Sequence, residues 1–579
     1  MVKIVDTIEQ DLLEEAIEQR ADFIPSGDLK AETADNDIFN KVIDSLIKRQ
    51  TTLIVGPRGC GKTHMMRYAS ILCQENESKP FAVYVSFNRY YRLEPLLTSK
   101  IDAINLFHSW VLARIVVSSY ETIKEINHEL TDEDLFESLN YLDVNSLGNV
   151  INQLEKGISL TEEEQLEVRK LSISNVKNII DNLRVLSGRT RTVLLLDDAA
   201  LTLTPEYMKE FFDIFRTLKS PHISPKASVY PGTTEYGARF HPTQEGDFIP
   251  VWISVEEPLY SEIMEDIAKK RIHNFNDVPI EVREYLKFAA FGIPRAFLGM
   301  MQEFLAGDFK TQQQGLNRIV QHHIEARIEE FRSIKLKSPK LKKLLETGES
   351  VFDTICKEVK INNSKAIESG HKQLRVGVSD AQTNPYVERM FNLLIEAGLL
   401  FEIPEVVSHG SQRGYTRYIP HLSALLNKKA FISKEKTASA KTTIDIIKSP
   451  STKHPLRRSI STLMAKDELE SLAFNLPPCG SCGMDRINQS QKFCHNCGSE
   501  LIDISTFEQC MALPIHTVPG LTTWQMNKIK KEIPKFKNIG DFLSSQDPSK
   551  ELRQAKRIGK VRAEKIIKLV TGFVDDFLQ

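Results

Sequence analysis

One turn limits what this chain can fold into. Gly56-Pro57-Arg58-Gly59-Cys60-Gly61-Lys62-Thr63 separates a short, apolar, β-branched run, Thr51 to Val55, from His64 to Cys73, whose pattern is helical. Glycines at positions 56, 59 and 61 let a backbone come close to a ligand and adopt unusual angles, so the turn's N–H groups can wrap a polyphosphate. Lys62 then reaches the outer phosphates and the Thr63 hydroxyl holds Mg²⁺. Residues 56–63, with His64 opening the helix, are the expected contacts to a nucleoside triphosphate. The competing reading, a surface glycine turn with an incidental lysine, explains neither the strand before it nor the helix after it.

A second strand that meets a nucleotide crevice should end in acid. Thr192 to Leu196 is an unbroken apolar run followed at once by Asp197 and Asp198, as in a buried parallel strand whose C-terminal tip enters such a crevice. Asp197 is then expected to bind Mg²⁺ through water, and Asp198 to orient or deprotonate the attacking water. Ala227 to Pro231 leads into Gly232-Thr233-Thr234, where a polar side chain on a strand tip would stand beside the γ-phosphate. Further on, Gly292-Ile293-Pro294-Arg295 interrupts a helical stretch. Pro294 suits the first turn of a helix, which aims Arg295 from that helix's N-terminus.

Taken in this order, the motifs resemble an AAA+ ATPase, and most closely the origin-recognition and initiator-loader clade. The resemblance covers roughly residues 30–430. It implies an αβα core with a five-strand parallel sheet, a helical lid and ATP-dependent assembly on DNA. Carried over by position, Gly56, Gly61, Lys62 and Thr63 form Walker A, and Asp197 and Asp198 form Walker B. Thr234, with Thr233 beside it, is the sensor 1 candidate and Arg295 is sensor 2. Asp198 departs from the family's usual glutamate by one methylene, which raises slow turnover or a long-lived ATP-bound state. The family also implies an arginine from a neighbouring subunit, for which Arg239 and Arg216 are candidates, each equally readable as a surface salt-bridging residue.

The remaining text is modular, and 579 residues exceed what one core holds. The expected fold class is multidomain α/β: a nucleotide-binding core over 1–250 with a helical insertion at about 96–189, a helical lid over 251–335, and a winged helix over 336–432. In the last, an amphipathic helix from Pro385 to Ala397 precedes two strands whose loop carries Arg413. A winged helix either touches DNA or serves as packing. Residues 433–475, rich in Lys, Ser and Thr, read as a solvated tether.

Two modules close the chain. Cys479-x-x-Cys482 and Cys494-x-x-Cys497, each followed by glycine, have the spacing of a zinc ribbon over 476–503. Four thiolates leave no open position for water, so the Zn²⁺ is expected to be structural. Within 504–579, Arg557-Ile558-Gly559-Lys560-Val561-Arg562 resembles a helix-hairpin-helix, with a degenerate earlier copy near Val518 to Leu521. Its backbone N–H groups would grip a phosphate, with Arg557, Gly559, Lys560 and Arg562 as the nucleic-acid contacts. From Trp524 to Val570 there are thirteen Lys or Arg against five Asp or Glu, a local excess that favours polyanions although the whole chain is at −2.

No hydrophobic run reaches membrane-spanning length and the acidic N-terminal stretch is unlike a secretory signal, so the expectation is a cytoplasmic protein without a membrane partner. The cofactors implied are ATP, Mg²⁺ and Zn²⁺. The implied activity is an ATPase that assembles on nucleic acid, DNA first, as a homo-oligomer and loads or regulates an effector enzyme or helicase in genome maintenance or host defence. The alternative from another class is a nucleotide-switched signalling scaffold with protein-binding terminal modules and little hydrolysis.

Overall fold

The computed structural model describes residues 21–578 apart from 22–23, 95, 97–101, 199–204, 238, 339–340, 383, 409–413, 433–438, 473–478, 480, 485–490, 492, 500, 502–509, 519–520, 546 and 557. Its core is a parallel five-stranded sheet of β1 (Thr52–Val55), β2 (Phe81–Ser86), β3 (Thr192–Asp197), β4 (Ile223–Val229) and β5 (Asp247–Pro250), in the order β2-β3-β4-β1-β5.

The unbroken apolar text of β3 follows from its place inside the sheet. Alternate side chains point to opposite faces, and both faces are covered. Val193 and Leu195 join a core with the Asp37–Ile47 and Lys62–Gln74 helices and the lid, whereas Leu194 and Leu196 join a core with the insertion and the Pro205–Leu218 helix. The insertion is a bundle whose long helix, Ala103–Ile126, packs on β2 and on the Val144–Glu155, Ile173–Leu186 and Pro205–Leu218 helices. Lys226, fully buried in β4, ends the Asp37–Ile47 helix by donating to Ser45 O at 3.0 Å and Lys48 O at 2.8 Å.

The segment expected as the lid contains the Tyr260–Arg271, Ile280–Ala289, Pro294–Ala306 and Gln312–Lys337 helices. Beyond it, the Lys342–Ala366 and Pro385–Glu396 helices pack together beside a second sheet, ordered β7-β8-β6-β9, of β6 (Val376–Ser379), β7 (Leu400–Ser408), β8 (Gly414–Pro420) and β9 (Leu456–Ser459).

The tether expected over 433–475 is corrected here, since its described residues include folded elements. An Ala440–Lys448 helix buries Ala440, Ile444 and Ile447 and packs on Ile280–Ala289, and β9 then pairs in parallel with β6. Lys372 Nζ satisfies the end of that helix at Ile447 O and Ser449 O, and Lys448 pairs with Glu284 of the lid at 2.6 Å. Composition hid this strap because its apolar residues are few, yet they recur at helical spacing. Among the described residues no helix is long and apolar enough to cross a membrane.

Candidate nucleotide site and C-terminal modules

The Gly-rich turn follows β1 and opens the Lys62–Gln74 helix, with Gly61 as the residue before the helix at φ 85°. Gly59 also has positive φ, 90°, a conformation glycine adopts without the Cβ penalty. Gly56 is needed for another reason: a Cβ there would lie 2.8 Å from Val251 Cγ2. Lys62 is 6% exposed. Its ammonium donates to Gly56 O at 2.6 Å and Pro57 O at 3.2 Å and lies 4.0 Å from the centroid of the Tyr230 ring. Burial lowers its pKa, while the Coulombic fields of Cys60, Asp197 and Asp198 oppose that shift. The Cys60 thiol is pushed up to about 12 by burial, so this cysteine is a packing residue and not a nucleophile.

Because β4 lies between β1 and β3, the tips of all three strands share the C-terminal edge of the sheet, where open α/β folds bind ligands. Asp197 ends β3 with no exposure. Its Oδ2 accepts from Tyr84 Oη at 3.1 Å, and its Oδ1 is buried without a hydrogen-bond partner among the described residues. Asp198 leaves the strand in the left-handed region, φ 58°, and its N–H donates to Ser228 Oγ on β4 at 3.0 Å. This strained geometry separates the two acids: one continues the strand, the other is turned out of it.

The lid reaches the same place. Pro294 occupies the first turn of the Pro294–Ala306 helix, and the Arg295 N–H donates to Gly59 O at 3.3 Å. The turn, both acids and Arg295 therefore gather around Lys62. Thr234 differs from expectation. β4 ends at Val229, and the Thr234 hydroxyl accepts from Tyr230 N at 3.3 Å and donates to Tyr230 O at 2.9 Å. It closes the turn after the strand, and Tyr230 is the residue that leaves the strand tip toward Lys62. Thr233 is buried. His64 faces the lead-in segment, with Nε2 2.8 Å from Thr33 Oγ1, and burial lowers its pKa to about 3. Arg239 pairs with Asp213 at 3.1 Å and Arg216 with Glu245 at 3.5 Å, both within the chain.

Tyr84, Ser228, Tyr230 and Ile293 were missed in the sequence. Tyr84 could have been found, because FAVYVSF alternates and places it on one face of β2.

At the C-terminus, the Sγ atoms of Cys479, Cys482, Cys494 and Cys497 all lie within 4.8 Å of one another. Cys479 and Cys497 are 3.5 Å apart and Cys482 and Cys494 3.6 Å, close to the ~3.8 Å spacing of four sulfurs at ~2.3 Å from tetrahedral zinc. Gly483 and Gly498 take φ of 72° and 71° in the two turns. His495 lies beside Gln491, Nδ1 to Nε2 3.3 Å, and is outside the sulfur set.

Gly559 and the Lys560–Leu578 helix follow the Pro548–Leu552 helix, and Ile558, Ala563, Ile566 and Val570 are buried behind the hairpin. Lys560 and Arg562 are exposed. The Arg562 guanidinium lies 5.5 Å from the ring of Trp524, in the first turn of the Thr523–Glu532 helix, so the starts of these two helices are neighbours. Arg413 and Arg557 lie outside the described residues, as do Pro519 and Gly520 of the earlier copy.

The sequence profile of the ORC-CDC6-like family matches residues 26–220. No curated protein matches the chain. Among solved structures, a Walker-type ATPase of Pyrococcus abyssi is 15% identical over 68% of this chain and 96% of that one, with a TM-score of 0.34. The Orc1 protein of Aeropyrum pernix, in complex with DNA, is 13% identical over 68% of this chain and 90% of that one, with a TM-score of 0.27. The matched residues 26–220 carry the Gly-rich turn, the acidic end of β3 and the helical insertion, so it is this part of the chain that is similar to the ORC-CDC6-like family.

Proposed function

We propose that this protein is an ATPase that binds nucleic acid, DNA first, and uses ATP binding and slow hydrolysis to assemble on it and to load or regulate a partner. The observation that carries this reading is the gathering of Lys62, Asp197, Asp198 and the lid's Arg295 at one sheet edge. The donors fit Mg-ATP: Asp197 Oδ1 is a buried carboxylate oxygen without a partner among the described residues, and a buried polar atom is costly unless something outside the chain satisfies it.

In this role residues 56–63 would hold the phosphates and Thr63 and Asp197 the Mg²⁺, which supplies charge neutralisation on the phosphate oxygens when bound. Lys62 would exchange its contacts with Gly56 O and Pro57 O for phosphate. Asp198 would orient water, and its left-handed backbone and short side chain support slow turnover. Arg295, at the N-terminus of a lid helix, would couple nucleotide occupancy to the lid. The zinc ribbon would be a rigid spacer held by Zn²⁺, and Gly559, Lys560 and Arg562 would contact phosphates at the hairpin, with Arg413 as a further phosphate contact.

A filter-binding titration with duplex DNA, single-stranded DNA and RNA, with and without ATP, tests the reading. Binding is expected to weaken steeply with salt, as counterion release requires, and to respond to ATP in the natural protein but not in Lys62→Ala. Salt-insensitive or absent binding in every state rejects it.

A second reading, the nucleotide-switched scaffold with a winged helix used for packing, is favoured by one contact. In the Pro385–Glu396 helix, Asn392 packs against Gly232 in the turn after β4, where an added Cβ would lie 2.9 Å from Asn392 Cβ. Val387, Met390, Phe391, Leu393, Leu394 and Ile395 of that helix are buried. A helix so enclosed has little face left for a DNA groove. Nucleotide-dependent oligomers indifferent to nucleic acid, sized by light scattering, are what this reading requires.

A further inference from the structure

The two carboxylate oxygens of Asp197 are treated differently by the fold. Oδ2 accepts the Tyr84 hydroxyl at 3.1 Å, and Oδ1 is buried without a hydrogen-bond partner among the described residues. The sheet decides which side chain arrives there. Tyr84 is in register with Leu195, two residues before Asp197, and residues two apart on a strand share a face. Tyr84, Leu195 and Asp197 therefore lie on one face, and Leu195 and Tyr84 both pack with the core that includes Met66 of the helix after the Gly-rich turn.

The end of β2 is itself anchored. Ser86 is in register with Asp197, and the next N–H, that of Phe87, donates to Asp197 O at 3.0 Å. The Ser86 carbonyl accepts from Arg114 of the insertion at 2.6 Å. Arg114 is also 3.6 Å from the buried Glu155 carboxylate, which takes the Trp110 indole N–H at 3.3 Å. Backbone and side chain of Asp197 are thus both fixed from β2, and the helical insertion fixes the end of β2.

We propose that Tyr84 is a positioning residue for the metal of the nucleotide site, holding the Asp197 carboxylate through Oδ2 so that Oδ1 stays available to the hydrated Mg²⁺. This rests on reading Asp197 as the metal-holding acid. Tyr84 does not touch the metal; it sets the rotamer of the group that does. Partners of this kind typically contribute 10–100-fold to metal affinity.

The experiment uses the full chain and Mn²⁺ as the probe, titrated by electron paramagnetic resonance in the presence of a non-hydrolysable ATP analogue. A parallel titration measures binding of a fluorescent ATP analogue in EDTA. Tyr84→Phe, which removes only the hydroxyl, is expected to weaken Mn²⁺ about tenfold, while metal-free nucleotide affinity stays within about twofold and the melting temperature within a few degrees. Asp197→Ala is expected to lose tight Mn²⁺ binding. If Asp197→Ala keeps the natural Mn²⁺ affinity, the reading of Asp197 fails and Tyr84 with it. If Asp197→Ala loses Mn²⁺ but Tyr84→Phe binds it as the natural chain does, only the role of Tyr84 is overturned. Equal loss of metal and metal-free nucleotide binding in Tyr84→Phe assigns the hydroxyl to the fold alone and also overturns it.

Discussion

The backbone N–H of Arg295 donates to the carbonyl of Gly59 at 3.3 Å, so the Pro294–Ala306 helix begins on the Gly-rich turn itself. Ile293 extends the link. It lies against Gly59 on one side, with Cγ2 3.0 Å from where a Cβ would stand, and against Gly398 on the other, with Cδ1 3.3 Å from its Cβ position. One side chain thus touches the nucleotide turn and the end of the Pro385–Glu396 helix, which makes the lid the physical route between them.

Gly59→Ala should therefore do more harm than Gly61→Ala. Both positions have positive φ, 90° and 85°, where a Cβ costs roughly 1–2 kcal/mol. At Gly59 the new methyl also meets Ile293 Cγ2 at 3.0 Å and Arg295 Cβ at 3.2 Å, whereas at Gly61 nothing lies within 4 Å. The expected outcome is at least a further threefold loss of nucleotide affinity in Gly59→Ala, read by fluorescent ATP titration. Equal losses would show that the lid does not bear on the turn.

Thr234→Val should act on stability and leave the chemistry alone. Its hydroxyl serves the Tyr230 backbone in a local turn, so removal costs about 1 kcal/mol by loss of hydrogen bonding. ATP turnover of the folded fraction should stay within about twofold, as a coupled-enzyme assay and urea unfolding would show together. A hundredfold fall in kcat at unchanged stability would restore Thr234 as the sensor.

Acid should destabilise the fold through three desolvated histidines, His421 fully buried and His64 and His323 half-buried. Burial lowers His64 and His323 to about 3 and takes His421 well below its ordinary value. These depressed values mean that the unfolded chain binds protons the folded chain refuses. Their stabilising contribution is complete above the ordinary histidine value near 6.5 and is lost as pH falls toward 3. Each site contributes up to about 1.4 kcal/mol per pH unit in that window. His323→Leu should flatten the fall in urea stability between pH 7 and 5, and an unchanged slope would refute the assignment.

Metal analysis of the purified chain should return one zinc per molecule, and Cys494→Ser should lose it. Four sulfurs within 4.8 Å repel one another as thiolates unless a cation lies among them, so removing one is expected to make this segment sensitive to protease. Nucleotide binding should be unaffected. A zinc-free protein with an intact, protease-resistant segment would reject the metal.

The local text carried the elements whose chemistry is local. A glycine turn with lysine, an apolar run ending in two acids and two Cys-x-x-Cys pairs each announce themselves because their function needs fixed spacing along one stretch of chain. The same holds for the amphipathic helix Pro385–Glu396, which is legible from its own periodicity. Harder to read was the strap after residue 438, where Ile444 and Ile447 sit among Lys, Thr and Asp and the helix that carries them packs on the distant Ile280–Ala289 helix.

What the tertiary structure alone decided is which residues finish the site. That Tyr84 meets Asp197, Ser228 meets Asp198 and Tyr230 lies beneath Lys62 depends on strand order and register. In a parallel sheet with crossovers, those are set by how both faces are covered and not by any one strand's residues. Sequence determined the presence of the Gly-rich turn and the acids after β3; packing between residues far apart in the chain determined what holds them.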